Sequence, residues 1–393
     1  MVKTTIPIGL VALFLSVPVS AVKLWATSYN DGQVTTLDFS NGDLTVVDKN
    51  KDCGTEPTWL TLDKANSLLY CLNEGWGGSA SLTSYQVNSD DSISTLDILP
   101  VLKSPVAASL YGPNNSGLAV AHYDTSTFSS YDVSDPTTLV LSQSETYTNA
   151  APGPDPGRQA EPHLHHTIVD PTGKYILSPD LGSDLIRVFE VTNPATSIAW
   201  TQKAGGVATP GSGPRHGVWV ESAGQNYVYT LNELTNTITG HKVQYKKNGL
   251  AFTKLFDIPS GGPGTTVPAG TSAAELVASP DGKFIIASSR NEASLTIPSF
   301  DGEGTIPSDP LITYKIGKGG KLTHVQTAPA GGMNPRGFSL NADGTLVASA
   351  LQNDNRVVII ERNVETGKLG DFVGHATVGL EGEANGPNYV LFA

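Results

Sequence analysis

Residues able to do chemistry recur at matched places along this chain. Pro-His-Leu-His-His covers 162–166, with His163, His165 and His166. Gly-Pro-Arg-His at 213–216 supplies Arg215 and His216, Ala-Glu at 274–275 supplies Glu275, and Asn-Pro-Arg-Gly at 334–337 supplies Asn334 and Arg336. A second series stands after other apolar segments: Asn73 and Glu74, Asp180, Asn232 and Glu233, Arg290 and Asn291, Gln352 and Asn353. The chain has only seven arginines, and Arg215, Arg290 and Arg336 all fall in these series. In a protein of formal net charge −13, three arginines brought together would make an anion site, because the guanidinium fork matches carboxylate and phosphate. His163 and His165 could share a strand face and begin a metal site, but a third ligand is missing. No metal or other cofactor is expected. His122 and His216 read as structural hydrogen-bond donors. No Gly-x-Ser-x-Gly elbow, phosphate-binding loop or His-Glu-x-x-His motif occurs.

The elements that must position these residues form a repeat. An apolar-alternating strand, a turn of the Asp-Pro-x-Gly type and a second strand recur, most clearly over 167–178 and 276–287, then over 217–229 and 338–348. Weaker copies cover 60–70 and 108–120, so that units begin near 58, 106, 165, 215, 273 and 336. A seventh opens at Asn388 and stops after one strand, and the N-terminal segments 23–29 and 34–38 would supply its missing strands. Four-stranded units of this length around an axis are β-propeller blades, and pairing the two chain ends hides the sheet edges. The fold class is therefore all-β, a seven-bladed propeller, with 22–393 as one domain. Within a blade the second strand returns antiparallel to the innermost one. Both polar series therefore meet at one mouth of the ring, including Arg336, Asn232, Glu275 and Gln352 as candidate substrate contacts. Loops 151–157 and 261–264 precede site-bearing strands and could cover the mouth.

Composition agrees. Charged residues make up 16% of the chain, against about 25% in an average domain. Glycine (41) and proline (26) are abundant, which is turn chemistry. The acidic balance excludes nucleic acid and anionic membrane surfaces as partners, and a monomer is expected. Residues 1–21 have a basic start, a short apolar run and small residues before the end, the pattern of a secretory signal peptide. Secretion makes a Cys53–Cys71 disulfide the expected state of the only two cysteines. Asn114 opens the only glycosylation sequon, in a turn.

The ordered motifs resemble the seven-bladed propeller lactonases, a family that includes bacterial-type 6-phosphogluconolactonase and the fungal carboxy-muconate cyclase. The resemblance rests on Pro162–His166 with Asp180–Asp184, Gly213–His216 with Asn232–Leu234, Ala274-Glu275 with Ser289–Asn291, Asn334–Gly337, and Thr366–Leu369. It runs over essentially all of 22–393. It implies His165, Arg215, Glu233 and Arg290 as catalytic residues; His165 stands six residues before Pro171, the family spacing. It also implies metal-independent chemistry on a small anionic lactone or carboxylate. The two arginines would hold the anion and polarise the carbonyl, and Glu233 or His165 would serve as base. Lactone hydrolysis is the expected reaction. Cyclisation of a muconate and a non-catalytic secreted binding propeller are the alternatives.

Overall fold

Asp-Pro-Thr-Gly at 170–173 shows how a blade turns. The Asp170 carboxylate accepts the backbone N–H groups of Thr172 and Tyr175, and Gly173 takes a φ of +69° that a side chain would resist. The chain thereby reverses from Ile168–Val169 into Tyr175–Asp180. Ser279 and Gly282 make the same reversal between Ser272–Ala278 and Phe284–Arg290.

The computed structural model describes residues 22–90 and 92–393; the leader expected at 1–21 lies outside them. Seven four-stranded antiparallel sheets make the ring. Blades one to six are led by innermost strands Pro57–Asp63, Pro105–Tyr111, Ile168–Val169, Pro214–Ser222, Ser272–Ala278 and Pro335–Leu340. Blade seven joins Pro387–Phe392 to Val22–Ser28, with Leu24 opposite Phe392 and Ala26 opposite Val390, and continues through Gln33–Ser40 and Asp43–Asn50. The chain is thus an all-β seven-bladed propeller closed by its own ends.

Seven apolar clusters hold the ring together, each built from two neighbouring blades. Tyr229, Leu231 and Ile238 of blade four meet Ile285, Ala287 and Ile312 of blade five, and Val357 and Ile359 of blade six meet Leu24, Leu37 and Val390 of blade seven. The Cys53–Cys71 disulfide is present with Cα atoms 5.9 Å apart, and it ties the loop leaving blade seven to the second strand of blade one. One feature departs from the repeat. Blade five carries an extra hairpin, Leu295–Pro298 with Thr305–Ser308, between its second and third strands.

Every innermost strand carries a β-bulge near its start. The register slips by one residue between Pro57 and Trp59, Pro105 and Ala107, Pro214 and His216, Ala273 and Leu276, and Pro335 and Gly337. It slips again opposite Thr27 and Ser28 in blade seven, leaving Asn388 unpaired in register. In blade three the slip falls between the isolated Leu164–Asp180 bridge and the Ile168–Leu177 pair. A bulge re-aims the extra side chain without ending the strand. The re-aimed residues Thr58, Val106, His165, Arg215, Glu275, Arg336 and Asn388 all line one narrow throat on the ring axis. In five blades the residue before the bulge is proline, which has no N–H to lose from the ladder.

Candidate active site

Above the throat opens a cleft of about 430 Å³, lined by Glu74, Trp76, Tyr123, Asp124, Arg158, His165, Glu233, Arg290 and Arg336, with Val106 at its floor. Below it the throat narrows to about 10 Å³, roughly the space of one water. Packed rings close it: Trp59 stacks on Tyr389 at 4.2 Å between centroids, and His166 stacks on His216 at 4.4 Å.

Glu233 is the centre of the charge arrangement. It follows the second strand of blade four, where its N–H donates to the Gly213 carbonyl. Arg158 donates from Nη2 to its Oε1 at 2.7 Å. Its Oε2 lies 2.8 Å from Arg215 Nε and 3.2 Å from Arg290 Nη2. Burial opposes the charge on Glu233, but Arg290, Arg215 and Arg158 overcome it and hold the carboxyl at about 2. Glu233 is an ionised anchor at any ordinary pH, and a weak proton acceptor.

Arg290 ends the second strand of blade five. Asp309, fully buried, accepts the N–H groups of Asn291, Glu292, Ala293 and Asn334, and so fixes the turn on which Arg290 stands. Arg290 Nη2 also donates to the Ala273 carbonyl. Arg215 lies deeper, 2% exposed, with Nη1 donating to the Ala274 carbonyl. It does not line the cleft. Arg336 borders both cleft and throat, 3.7 Å from Glu74, whose other partner is the Tyr29 hydroxyl.

His165 also borders both spaces. Tyr123 and His216 present their rings edge-on to it at 5.3 and 5.2 Å, and its buried Nδ1 has no hydrogen-bond partner. Burial first, then the nearby Arg215, keeps it well below the ordinary imidazole range. It is a neutral imidazole bordering a cleft lined by three arginines and three carboxylates. His216 instead bonds Glu275 through Nδ1 at 2.7 Å. Burial raises Glu275 to about 7 and holds His216 well below the ordinary imidazole range.

The family description "Lactonase, 7-bladed beta-propeller" matches residues 23–383. The chain belongs to the seven-bladed β-propeller lactonase family. A relative in Arthroderma benhamiae named "Probable 6-phosphogluconolactonase" is 31% identical over 338 residues, which is 85% of this chain and 80% of that one. A Formosa agariphila protein named 6-phosphogluconolactonase is 30% identical over 259 residues, 64% of this chain and 65% of its own. The solved Pseudomonas aeruginosa periplasmic gluconolactonase superposes with a TM-score of 0.74 at 22% identity, covering 95% of this chain and 99% of that one. That last likeness speaks to the fold.

Of the residues singled out in this lactonase-family sequence, His165, Glu233, Arg290 and Arg336 line the cleft, while Arg215 and Glu275 line the throat beneath it. Asn232 and Gln352 are elsewhere. Asn232 is fully buried and donates to Thr237 and Thr239 within blade four, and Gln352 reaches the Ala384 carbonyl. Their positions after second strands point to substrate contact, but the Asn232 Nδ2 is engaged within its own blade and the Gln352 Nε2 by a carbonyl 32 residues on. His163 bonds the Tyr123 carbonyl and stacks on the Tyr123 ring, so it shares no ligand position with His165. Five cleft residues went unforeseen: Trp76, Val106, Tyr123, Asp124 and Arg158. Arg158 directly follows the Pro/Gly loop at 151–157 and is one of only seven arginines, which is the signal that could have found it.

A larger groove of about 840 Å³ runs between blades six and seven, lined by Phe39, Leu346, Leu369 and Val373 among others. Its buried arginine, Arg362, donates to the Gly344 carbonyl and lies over the Phe284 ring. Size does not make it the active site. The converging charges and the neutral histidine are all in the smaller cleft.

Proposed function

We propose that this member of the lactonase family hydrolyses an anionic sugar lactone, as a 6-phosphogluconolactonase-type enzyme working outside the cell. The observation that carries this reading is the anchored carboxylate Glu233, ringed by three guanidiniums beside a neutral, partnerless His165. The names of the relatives support the lactone as substrate class.

The lactone ring would lie against Trp76, an indole left 52% exposed at the rim and braced by Tyr29 at 4.8 Å. Arg290 and Arg336 face the carbonyl oxygen and stabilise the oxyanion that forms on it. His165 takes a proton from water as the water oxygen bonds to the carbonyl carbon. Collapse breaks the ring C–O bond, and the proton returns from His165 to the departing alkoxide, giving the hydroxy acid. Glu233 keeps the guanidiniums close without neutralising their donors.

The segment before Val22 supports secretion, and so does the Cys53–Cys71 bridge, since disulfides persist in oxidising compartments. Asn114, exposed in the short turn Pro113–Asn115, is open to glycosylation. A panel of phosphorylated and unphosphorylated sugar lactones, followed by acid release, tests the activity. Turnover of a lactone that is lost in His165→Gln supports the reading, and no turnover of any lactone rejects it. Amino-terminal sequencing of secreted protein should begin at Val22.

A further inference from the structure

Among the arginines around Glu233, Arg158 is unlike the others. Its side chain is 42% exposed, whereas those of Arg215 and Arg290 are 2% and 11% exposed. Only Nη2 is engaged, by Glu233 Oε1 at 2.7 Å and the Tyr123 hydroxyl at 3.2 Å. Its Nε and Nη1 carry no hydrogen bond among the described residues, and the residue lines the cleft.

The backbone behind it is rigid. Gln159, fully buried, donates to the Leu181 carbonyl and accepts from the Asp155 N–H, while the Arg158 N–H bonds the Asp155 carbonyl. Asn149 ties the same loop to the Gly182 carbonyl. Arg158 can therefore change partners by side-chain rotation while the loop stays in place. Glu233 would not be stranded by this, because Arg215 and Arg290 still hold its other oxygen.

Elsewhere the cleft sets carboxylates among its arginines. Glu233, Glu74 and Asp124 all border it, and like charges at such distances repel. An anion on the substrate needs a guanidinium with free donors at the rim; Arg158 offers them at 42% exposure, whereas Arg336, 19% exposed, lies deeper beside Glu74.

We propose that Arg158 is the specificity-determining residue for the anionic group of the substrate, and that it binds this group in exchange for its contact to Glu233. The inference rests on the lactonase reading and adds to it the residue that sorts charged from uncharged lactones. An uncharged lactone leaves Glu233 in the grip of three arginines. A phosphorylated or carboxylated one draws Arg158 away and leaves Oε1 free to orient the attacking water.

The test compares 6-phosphogluconolactone with uncharged gluconolactone on the wild-type protein, Arg158→Gln and Arg158→Lys, each checked for an unchanged melting temperature. In Arg158→Gln the ratio of kcat/KM for the charged over the uncharged lactone should fall by about 30-fold or more, mostly through KM. Arg158→Lys should recover part of it, since charge survives without the planar fork. A role confined to holding Glu233 in place would lower both substrates together and leave the ratio alone, which overturns the proposal.

Calorimetric titration with inorganic phosphate separates this from the lactonase reading. If the wild-type protein turns over neither lactone, that reading fails, and phosphate decides the inference independently. Binding lost in Arg158→Gln upholds it; equal binding by both proteins, or none by the wild type, sinks it. Glu233→Gln should tighten phosphate binding several-fold in the wild-type background and not in Arg158→Gln. An identical change in both backgrounds would mean that no exchange occurs.

Discussion

At the scale of single residues, the cleft separates two jobs that residue type alone would let either acid–base group perform. Glu233 is held ionised by three guanidiniums and has little proton affinity left. Burial beside cations keeps His165 neutral and lowers its proton affinity as well, but its Nδ1 carries no hydrogen bond, so it is the uncommitted acceptor of the two. Replacing His165 with Gln should therefore cut kcat by about 10²–10⁴-fold, the usual worth of a positioned base, with KM little changed. Equal rates in the two proteins would move the base elsewhere. Arg215 lies beneath the cleft, 2.8 Å from Glu233. Arg215→Leu breaks a buried ion pair, so a loss of about 3 kcal/mol of stability is expected in urea titrations. Purely kinetic damage, with an unshifted midpoint, would place Arg215 on the substrate instead.

At the scale of elements, the recurring bulge explains how seven similar strands present seven different side chains to one axis. A regular strand alternates strictly between faces, so a polar residue could reach the throat only by giving up the core face along the whole strand. One extra residue resets the alternation, and the strand beyond it packs normally. Hence Arg215 looks into the throat while Val220, on the same strand, is buried against blade five. The disulfide acts at this scale too. It closes a loop with a sequence separation of 18 residues at the junction of blades seven and one, where the ring is joined. Replacing Cys53 and Cys71 by Ser should cost about 2–4 kcal/mol, visible as a lower melting temperature. Non-reducing peptide mapping of the native protein should recover the linked pair, and two alkylatable thiols would contradict the bridge.

At the scale of the molecule, stability is a closed circuit of neighbour-to-neighbour cores. Removing Asn388–Ala393 would delete the innermost strand of blade seven and with it Val390 and Phe392 from the core shared with blade six. It would also take away Asn388, which accepts from Thr27 and donates to the Pro57 carbonyl. Aggregation or failed secretion is expected, because Val22–Ser28 loses its inner partner and becomes an open sheet edge. A soluble truncated protein with the parent melting temperature would show that closure does not depend on this strand. Acid should also loosen the whole ring. His122 and His166 sit at about 4 and about 3 in the folded chain, below their ordinary 6.5, because burial disfavours their charge. Their contribution is complete above about pH 6.5 and is lost as pH falls towards those values. Glu233, held at about 2 against an ordinary 4.5, adds a further loss below 4.5. Glu275 works the other way: raised to about 7, it favours folding below 4.5 and loses that contribution as pH climbs through 7. Denaturation midpoints should therefore rise from pH 4 to about 6.5, with a shallower rise in His122→Asn. A flat profile would mean these histidines are not buried neutral.

The ring is legible in the chain. Apolar alternation, Asp-Pro-x-Gly turns and a lone seventh strand leave a closed propeller as the arrangement that buries every face and both edges. The sequence also named His165, Glu233, Arg290 and Arg336, because antiparallel return puts the starts of first strands and the ends of second strands at one mouth. What it did not decide is depth. Arg215 and Arg336 occupy equivalent bulges after a proline, yet Arg215 is sealed beneath Glu233 while Arg336 reaches the cleft. Asn232 and Gln352 stand at second-strand ends like Arg290, yet the Asn232 amide N–H is taken up by Thr237 and Thr239 and that of Gln352 by the Ala384 carbonyl. Arg158 lies outside the repeat altogether, on a loop whose course is set by the buried anchor Gln159. Strand periodicity governs direction along and across a blade, which is local and written in the chain. Distance from the axis to solvent depends on side chains arriving from other blades, and those meet only when the ring has closed.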